Sequence, residues 1–350
     1  MPIWLGRQRS MPEETRIDCD IHNEVPGLAT LYPYLPAHWL DYCRESAFNG
    51  PDANDYPAGA PTSAREGSQP KPDLAEVRSQ ALDGVEVGIL NCAYRVQSVR
   101  NEDLAASLAT AVNHWQVEHW LEEEPRLRAS IVVPSHNPQL AAEEIERWGG
   151  HPGFVQVVLP ARAEAPYGNR RYDPVFAAAV RHDLAVGIQY GGAPGHPPTA
   201  AGWPSYYIEE YAGMAHVFQS QVISLVCDGA FERFPSLRIA LIEGGFTWLP
   251  SIMWRIDKEW KGLRHNTPWV RRRPSDYMRT HLRFTIQPLD APPDPAHMAQ
   301  IFDQCGAEDL LLFASDYPHR RGRPEPLLDQ LSGDQRAKVL SGNARKLYRL

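Results

Sequence analysis

The sequence predicts an α/β protein folded as a (β/α)8, TIM-like barrel in a single domain, and three observations carry that expectation. Eight apolar, β-branched runs recur along the 350 residues with helical patterns between them. The runs are near-continuous rather than alternating, which suits strands buried on both faces of a parallel sheet. No GxGxxG follows any of them, which disfavours the alternative of a doubly wound open sheet that binds a dinucleotide.

In chain order the strand candidates are residues 16–22 (RIDCDIH), 84–92 (GVEVGILNC), 128–135 (RASIVVPS) and 153–160 (GFVQVVLP). They continue with 184–192 (LAVGIQYGG), 237–245 (LRIALIEGG), 281–288 (HLRFTIQP) and 309–318 (DLLLFASDYP). The helical segment after the second run opens on Asn101, a residue type whose side chain caps free N–H groups. The segment PQLAAEEIERWGG follows the third run and stops at glycines. Residues 1–15 read as an N-terminal extension and 16–350 as the barrel. An irregular, Pro/Gly-rich stretch over 49–72 follows the first strand and reads either as disordered or as a lid over the active face.

Bulk properties narrow the function classes. A net charge of −8 argues against a nucleic-acid binder working through a basic face. No run of about 18 apolar residues is present, so no membrane span is expected. The N-terminus lacks the apolar core of a secretion signal. The five cysteines are odd in number and never in CxxC spacing, as in a reduced, cytoplasmic protein with free thiols. A homodimer is the base-rate expectation for a large barrel.

In such barrels reacting groups sit at the C-terminal ends of the strands. There the first strand delivers Asp20 and His22, two residues apart and so on one side of the strand. The second delivers Asn91, the third Ser135 and His136, the fifth Gln189 and Tyr190. The sixth delivers Glu243, the seventh Thr285 and Gln287, and the eighth Asp316, followed by His319. Strands one and eight become neighbours on closure, so an Asp–His pair would face an Asp across the seam, as a divalent metal site requires. The alternative for a single strand-end Asp is a helix cap. Glu243 reads as a general acid or base, or as the partner of an arginine beneath the site. His319 reads as a donor to substrate or as an orienter of Asp316. His281 and His182 precede their strands and so belong to the opposite, structural face. Trp203 and Tyr207, with Tyr190, read as walls of a pocket. Arginines crowd the loops after strands two, four and eight, among them Arg95, Arg100, Arg162, Arg171 and Arg320. In an acidic chain that bias points to an anionic substrate.

The motifs DCDIH, GWPSYYIEEYAGM, FERFPSLRIALIEGGFTWLP and LLFASDYPH together resemble the amidohydrolase superfamily. The likeness is to its amidohydrolase-2 branch of aromatic-acid decarboxylases and hydrolases of small ring compounds. It runs over roughly 16–348. It implies one divalent metal ion (Zn, Mn or Mg) held by acid-x-His on strand one, a histidine on strand five and an aspartate on strand eight. Those positions are Asp20, His22, Gln189 and Asp316. Gln189 departs from the pattern: a neutral amide oxygen is a weak or absent ligand and shifts preference toward harder ions. His196, seven residues on, is read as a loop histidine. The basic stretch after strand eight is a second departure.

Three functions follow as expectations. The first is a metal-dependent hydrolase or nonoxidative decarboxylase (a lyase) acting on a small, anionic, cyclic or aromatic substrate. The second is a metal-independent lyase or cyclase of specialised metabolism, using Asp20, His22, Glu243 and Asp316 as acids and bases. The third is an inactive barrel that binds a ligand.

Overall fold

The structure is a computed structural model that describes residues 14–51, 71–192, 197–199, 201–319 and 325–350. The 1–15 extension and the 49–72 stretch fall mostly outside these residues, as do His196 and Arg320.

Each apolar run forms one strand: β1 Arg16–Ile21, β2 Val85–Leu90, β3 Leu127–Val132, β4 Phe154–Pro160, β5 Ala185–Gln189, β6 Ile239–Ile242, β7 Leu282–Thr285 and β8 Leu311–Leu312. They pair in parallel and in sequence order, β1 to β8. Closure comes from the segment just beyond β8. Cys19 N donates to Phe313 O (2.9 Å), Asp316 N to Asp20 O (3.1 Å) and His22 N to Tyr317 O (2.8 Å). The expected (β/α)8 barrel is therefore the observed one, and the seam joins the two strands that carry Asp20, His22 and Asp316.

Burial on both faces explains the continuous apolar runs. Outward-facing Ile131, Val157, Ile188, Leu241 and Phe284 pack under helix residues such as Leu108, Ile145, Phe176, Phe218 and Val222. Inward-facing Ile17, Cys19, Ile89, Ala185, Ala240, Ile242 and Leu312 fill the barrel, with Ala344, Leu347 and Tyr348 of the C-terminal helix Asn343–Tyr348 packed against them. Each isoleucine, leucine, valine or phenylalanine among them, fully buried, contributes about 1.5–3 kcal/mol. Asparagine side chains cap the helices that follow β2 and β3. Asn101 Oδ1 accepts from Leu104 N at 3.0 Å, and Asn137 Oδ1 accepts from Gln139 N (3.1 Å) and Leu140 N (3.2 Å).

The N-terminal end of the barrel is held by matched charges. Glu124, just before β3, accepts from Arg126 Nε (2.9 Å) and Arg78 Nε (3.1 Å). Arg238, just before β6, donates to Asp183 Oδ1 (2.6 Å) and to the Leu347 carbonyl (2.7 Å). The two histidines expected at this end are structural: His182 meets Glu146 Oε2 at 2.8 Å, and His281 meets the Leu237 carbonyl at 2.8 Å and stacks on Phe231.

Candidate active site

At the C-terminal end of β1 the pairing register with β2 shifts between Asp18 and Ile21. Asp20 and His22 both turn into the barrel mouth, with Asp20 Oδ1 3.5 Å from His22 Nε2. Asn91, just past β2, donates from Nδ2 to Asp20 Oδ1 at 2.9 Å. That leaves Asp20 Oδ2 buried with no hydrogen-bond partner among the described residues.

Glu243 and Asp316 reach the same space by an unusual backbone. Ile242 points inward, so ordinary alternation would turn Glu243 away from the mouth. Glu243 instead adopts φ 61°, and Asp316 adopts φ 58°. Left-handed backbone is uncommon for residues other than glycine and is held only where the surroundings impose it. Here Glu243 N is held by Thr285 Oγ1 (3.0 Å) and Asp316 N by the Asp20 carbonyl (3.1 Å). The outcome is a compact quartet. His22 Nε2 lies 3.0 Å from Asp316 Oδ1 and 3.6 Å from Glu243 Oε1. One ligand atom from each of Asp20, His22, Glu243 and Asp316 lies within 4.8 Å of the others. His319 packs its ring edge-on against His22 at 4.7 Å. Gln189, at the end of β5, turns its Nε2 toward Glu243 Oε1 at 3.3 Å.

The electrostatics of the quartet call for a cation. Burial, with the charges of Glu243 and Asp316, holds Asp20 well above the usual carboxylate range, against the opposing pull of His22 and Asn91. Burial alone would lower His22. The Asp20 charge, the hydrogen bond to Asp316 and the Glu243 charge outweigh it and carry the imidazole up to about 10. Asp20 and His22 thus retain protons that a divalent ion would displace. An orphaned carboxylate oxygen and a donor set of three acids and one imidazole fit such an ion.

A recess partly open to solvent runs along β2 to β5 and meets the quartet through Gln189, which is on its wall and reaches Glu243. Its walls include Cys92, Tyr94, Arg95, Gln97, Gln189 and Tyr190. Gln97 Nε2 reaches the Gly192 carbonyl (3.4 Å), tying the loop after β2 to the loop after β5. Arg95 Nη2 lies over Gly191, 3.8 Å from where a Cβ would stand. Burial pulls the Arg95 guanidinium below its ordinary value, while Tyr190 and Glu210 pull it back.

The anticipated substrate residues are placed unevenly. Tyr190 lines the recess and packs on Tyr211 (5.4 Å), which packs on Tyr207 (4.9 Å). Arg162 is buried and pairs with Glu210 at 2.9 Å. Arg171 pairs with Glu164 at 3.2 Å, and its Nη2 also meets the His136 carbonyl at 3.4 Å. Trp203 stands exposed. Arg95 emerges instead as the arginine on the recess wall. The sequence names it only among many loop arginines, because what distinguishes it is contact with a loop nearly a hundred residues away.

This fold and this quartet define a barrel enzyme site of the amidohydrolase type. The chain belongs to the amidohydrolase family (Amidohydro_2), whose model matches residues 17–350. Among curated proteins it is 25% identical over 330 residues to the gamma-resorcylate decarboxylase of Polaromonas sp., covering 81% of this chain and 93% of that one. The dihydroxybenzoic acid decarboxylase structure from Polaromonas sp., with bound manganese and the inhibitor 2-nitroresorcinol, superposes with TM-score 0.67. It is 21% identical and covers 96% of this chain and 97% of its own. A manganese-bound 5-carboxyvanillate decarboxylase from Novosphingobium aromaticivorans gives TM-score 0.71 at 19% identity, covering 96% and 97%. Among the described residues no helix is long and apolar enough to cross a membrane.

Proposed function

We propose that this chain is a metal-dependent, nonoxidative decarboxylase of a small aromatic carboxylate. The observation that carries the reading is the convergence of Asp20, His22, Glu243 and Asp316 beside a recess walled by Tyr94, Arg95 and Tyr190. The decarboxylases it resembles act on aromatic carboxylates, and two of those structures carry manganese.

Asp20, His22 and Asp316 would hold the ion, with Glu243 alongside and Gln189 a weak or absent ligand. When bound, the ion supplies positive charge that stabilises an anionic substrate. The remaining steps belong to side chains. The aromatic ring lies against Tyr190, with the Tyr207–Tyr211 pair behind it, and a ring face packs well on tyrosines. An arginine holds the carboxylate by charge-assisted hydrogen bonds. Arg95 suits that role by its place on the recess wall, which neither Arg162 nor Arg171 lines. Asp316, in its protonated form, gives its proton to the ring carbon that bears the carboxylate. The ring C–carboxylate bond then breaks, its electron pair returns to the ring, and carbon dioxide leaves. Glu243 and His319 face the same space as the further acid–base and orienting groups.

Manganese-loaded protein incubated with a panel of hydroxybenzoates in D2O tests this. The expected product is carbon dioxide plus a phenol carrying one deuterium at the vacated carbon. Ring-opened or hydrolysed products without carbon dioxide would assign hydrolysis instead. The metal-independent lyase reading draws on Gln189, which turns its amide nitrogen to Glu243 where relatives are expected to place an imidazole. Full turnover after exhaustive chelation selects that reading.

A further inference from the structure

Below the mouth, inside an otherwise apolar barrel, lies a chain of polar side chains that the proposed chemistry does not use. Asn91, Ser130, Gln156 and Tyr348 are all buried, three of them with no exposed surface. Ser130 and Gln156 are cross-strand partners on β3 and β4. Tyr348 reaches up from the C-terminal helix.

The hydrogen bonds in this chain have only one consistent direction. Asn91 Nδ2 faces the Cys19 carbonyl (3.1 Å), a group that can only accept, as well as Asp20 Oδ1 (2.9 Å). Its Oδ1 must therefore point the other way. There it accepts from Ser130 Oγ (2.7 Å) and Gln156 Nε2 (3.0 Å). Gln156 Nε2 also donates to Ser130 Oγ at 2.8 Å. Both amide protons of Gln156 are then in use, so its Oε1 must find a donor on the far side. The donor is the Tyr348 hydroxyl, at 3.1 Å. Room for the Gln156 amide comes from Gly187 on β5, where a Cβ would stand 2.6 Å from Gln156 Cδ.

We propose that Tyr348, Gln156, Ser130 and Asn91 form a polarity relay that fixes the orientation of the Asp20 carboxylate at the metal. The inference rests on the metal reading above and names positioning residues, none of which touches the ion. The Tyr348 hydroxyl fixes the Gln156 amide, Gln156 and Ser130 fix the Asn91 amide, and Asn91 occupies Asp20 Oδ1. Oδ1, the Asp20 oxygen 3.5 Å from His22 Nε2, is thereby held at the quartet, and Oδ2 is buried with no hydrogen-bond partner among the described residues. Without the hydroxyl, Gln156 Oε1 is buried unpaired, and rotating the amide to satisfy it presents an oxygen to Asn91. Asn91 in its turn is driven to present an oxygen to Asp20. Residues behind a ligand of this kind change metal affinity by about 10–100-fold when lost.

The test is Mn²⁺ titration by calorimetry on the full chain, with melting curves as the folding control. Tyr348→Phe removes one oxygen and should weaken Mn²⁺ binding about three- to tenfold. The double variant Tyr348→Phe/Gln156→Met removes the amide that can turn while Ser130 still orients Asn91. Its affinity should return to within about twofold of wild type, although it carries the larger change. Asn91→Leu, which cannot donate to Asp20, should weaken binding about 10–100-fold. A purely structural role predicts unchanged affinities, or a double variant at least as weak as Tyr348→Phe, and either result overturns the relay. Should Tyr348→Phe fail to fold, wild-type affinity in Asn91→Leu overturns it alone. Wild type that binds no Mn²⁺ defeats the metal reading, and the relay with it. Wild type that binds while the variants match it defeats the relay only.

Discussion

The two ends of the barrel treat carboxylates in opposite ways. At the N-terminal end every acid described above has a basic partner. Glu124 receives Arg126 and Arg78, and those hydrogen bonds hold its carboxyl down at about 2 despite some burial. At the mouth Asp20, Glu243 and Asp316 converge on His22, and Asp20 is held well above the usual range. Two of these three acids also sit on left-handed backbone. One end is arranged for stability; the other gathers like charge and strain, the pattern that marks a functional site.

Neutralising an acid should therefore have opposite consequences at the two ends. The largest effect is expected for Asp316→Asn. Decarboxylation should fall by about 10³-fold or more, since this removes both a ligand and the proposed acid. Metal-free Asp316→Asn should nonetheless melt above metal-free wild type, because a buried repulsion is relieved. A lower melting temperature breaks the comparison. Next in size is Arg95→Met on the recess wall, expected to raise KM about 10–100-fold with little change in kcat, read by steady-state kinetics. An unchanged KM moves carboxylate recognition to another arginine. Gln189→His should then tighten Mn²⁺ and Zn²⁺ binding about tenfold in calorimetry, by adding an imidazole where an amide now turns toward Glu243.

The smallest effects are those of pH on stability. Glu124 is depressed in the folded state from 4.5 to about 2. Its contribution is present above about pH 4.5 and lost as pH falls through about 2. Glu124→Gln should cost about 1 kcal/mol at neutral pH and remove that acid limb from the denaturation profile. Asp18, buried one turn of the pleat below Asp20, runs the other way: burial raises it from 3.8 to about 6, against hydrogen bonds from Ser315 and Asp20. The folded chain binds this proton more tightly than the unfolded one. Its contribution is full below about pH 4 and fades as pH rises through about 6. Asp18→Asn should flatten the metal-free profile over that window, and a profile identical to wild type would contradict the assignment.

The fold was legible because each strand is a continuous apolar run, and burial on both sides leaves no other pattern open to it. The quartet was legible because Asp20, His22, Glu243 and Asp316 are the polar residues on which those runs end. What the sequence hid is contact across it. Arg95 is one loop arginine among many until the loop after β5 folds beneath it. Ser130 and Gln156 sit within apolar runs, RASIVVPS and GFVQVVLP, where a single polar residue carries no periodic signal. Tyr348 reads as the apolar face of a terminal helix. The left-handed turn that brings Glu243 into the mouth leaves no trace in LIEGG beyond the glycines that follow.

A divalent cation at the mouth would take the place of the counter-charges found at the base. Diffraction from manganese-loaded crystals, collected at the manganese absorption edge, tests it most directly. One strong anomalous peak is expected within bonding distance of an Asp20 carboxylate oxygen, His22 Nε2 and Asp316. A mouth without a peak, in crystals soaked at saturating Mn²⁺, would contradict it.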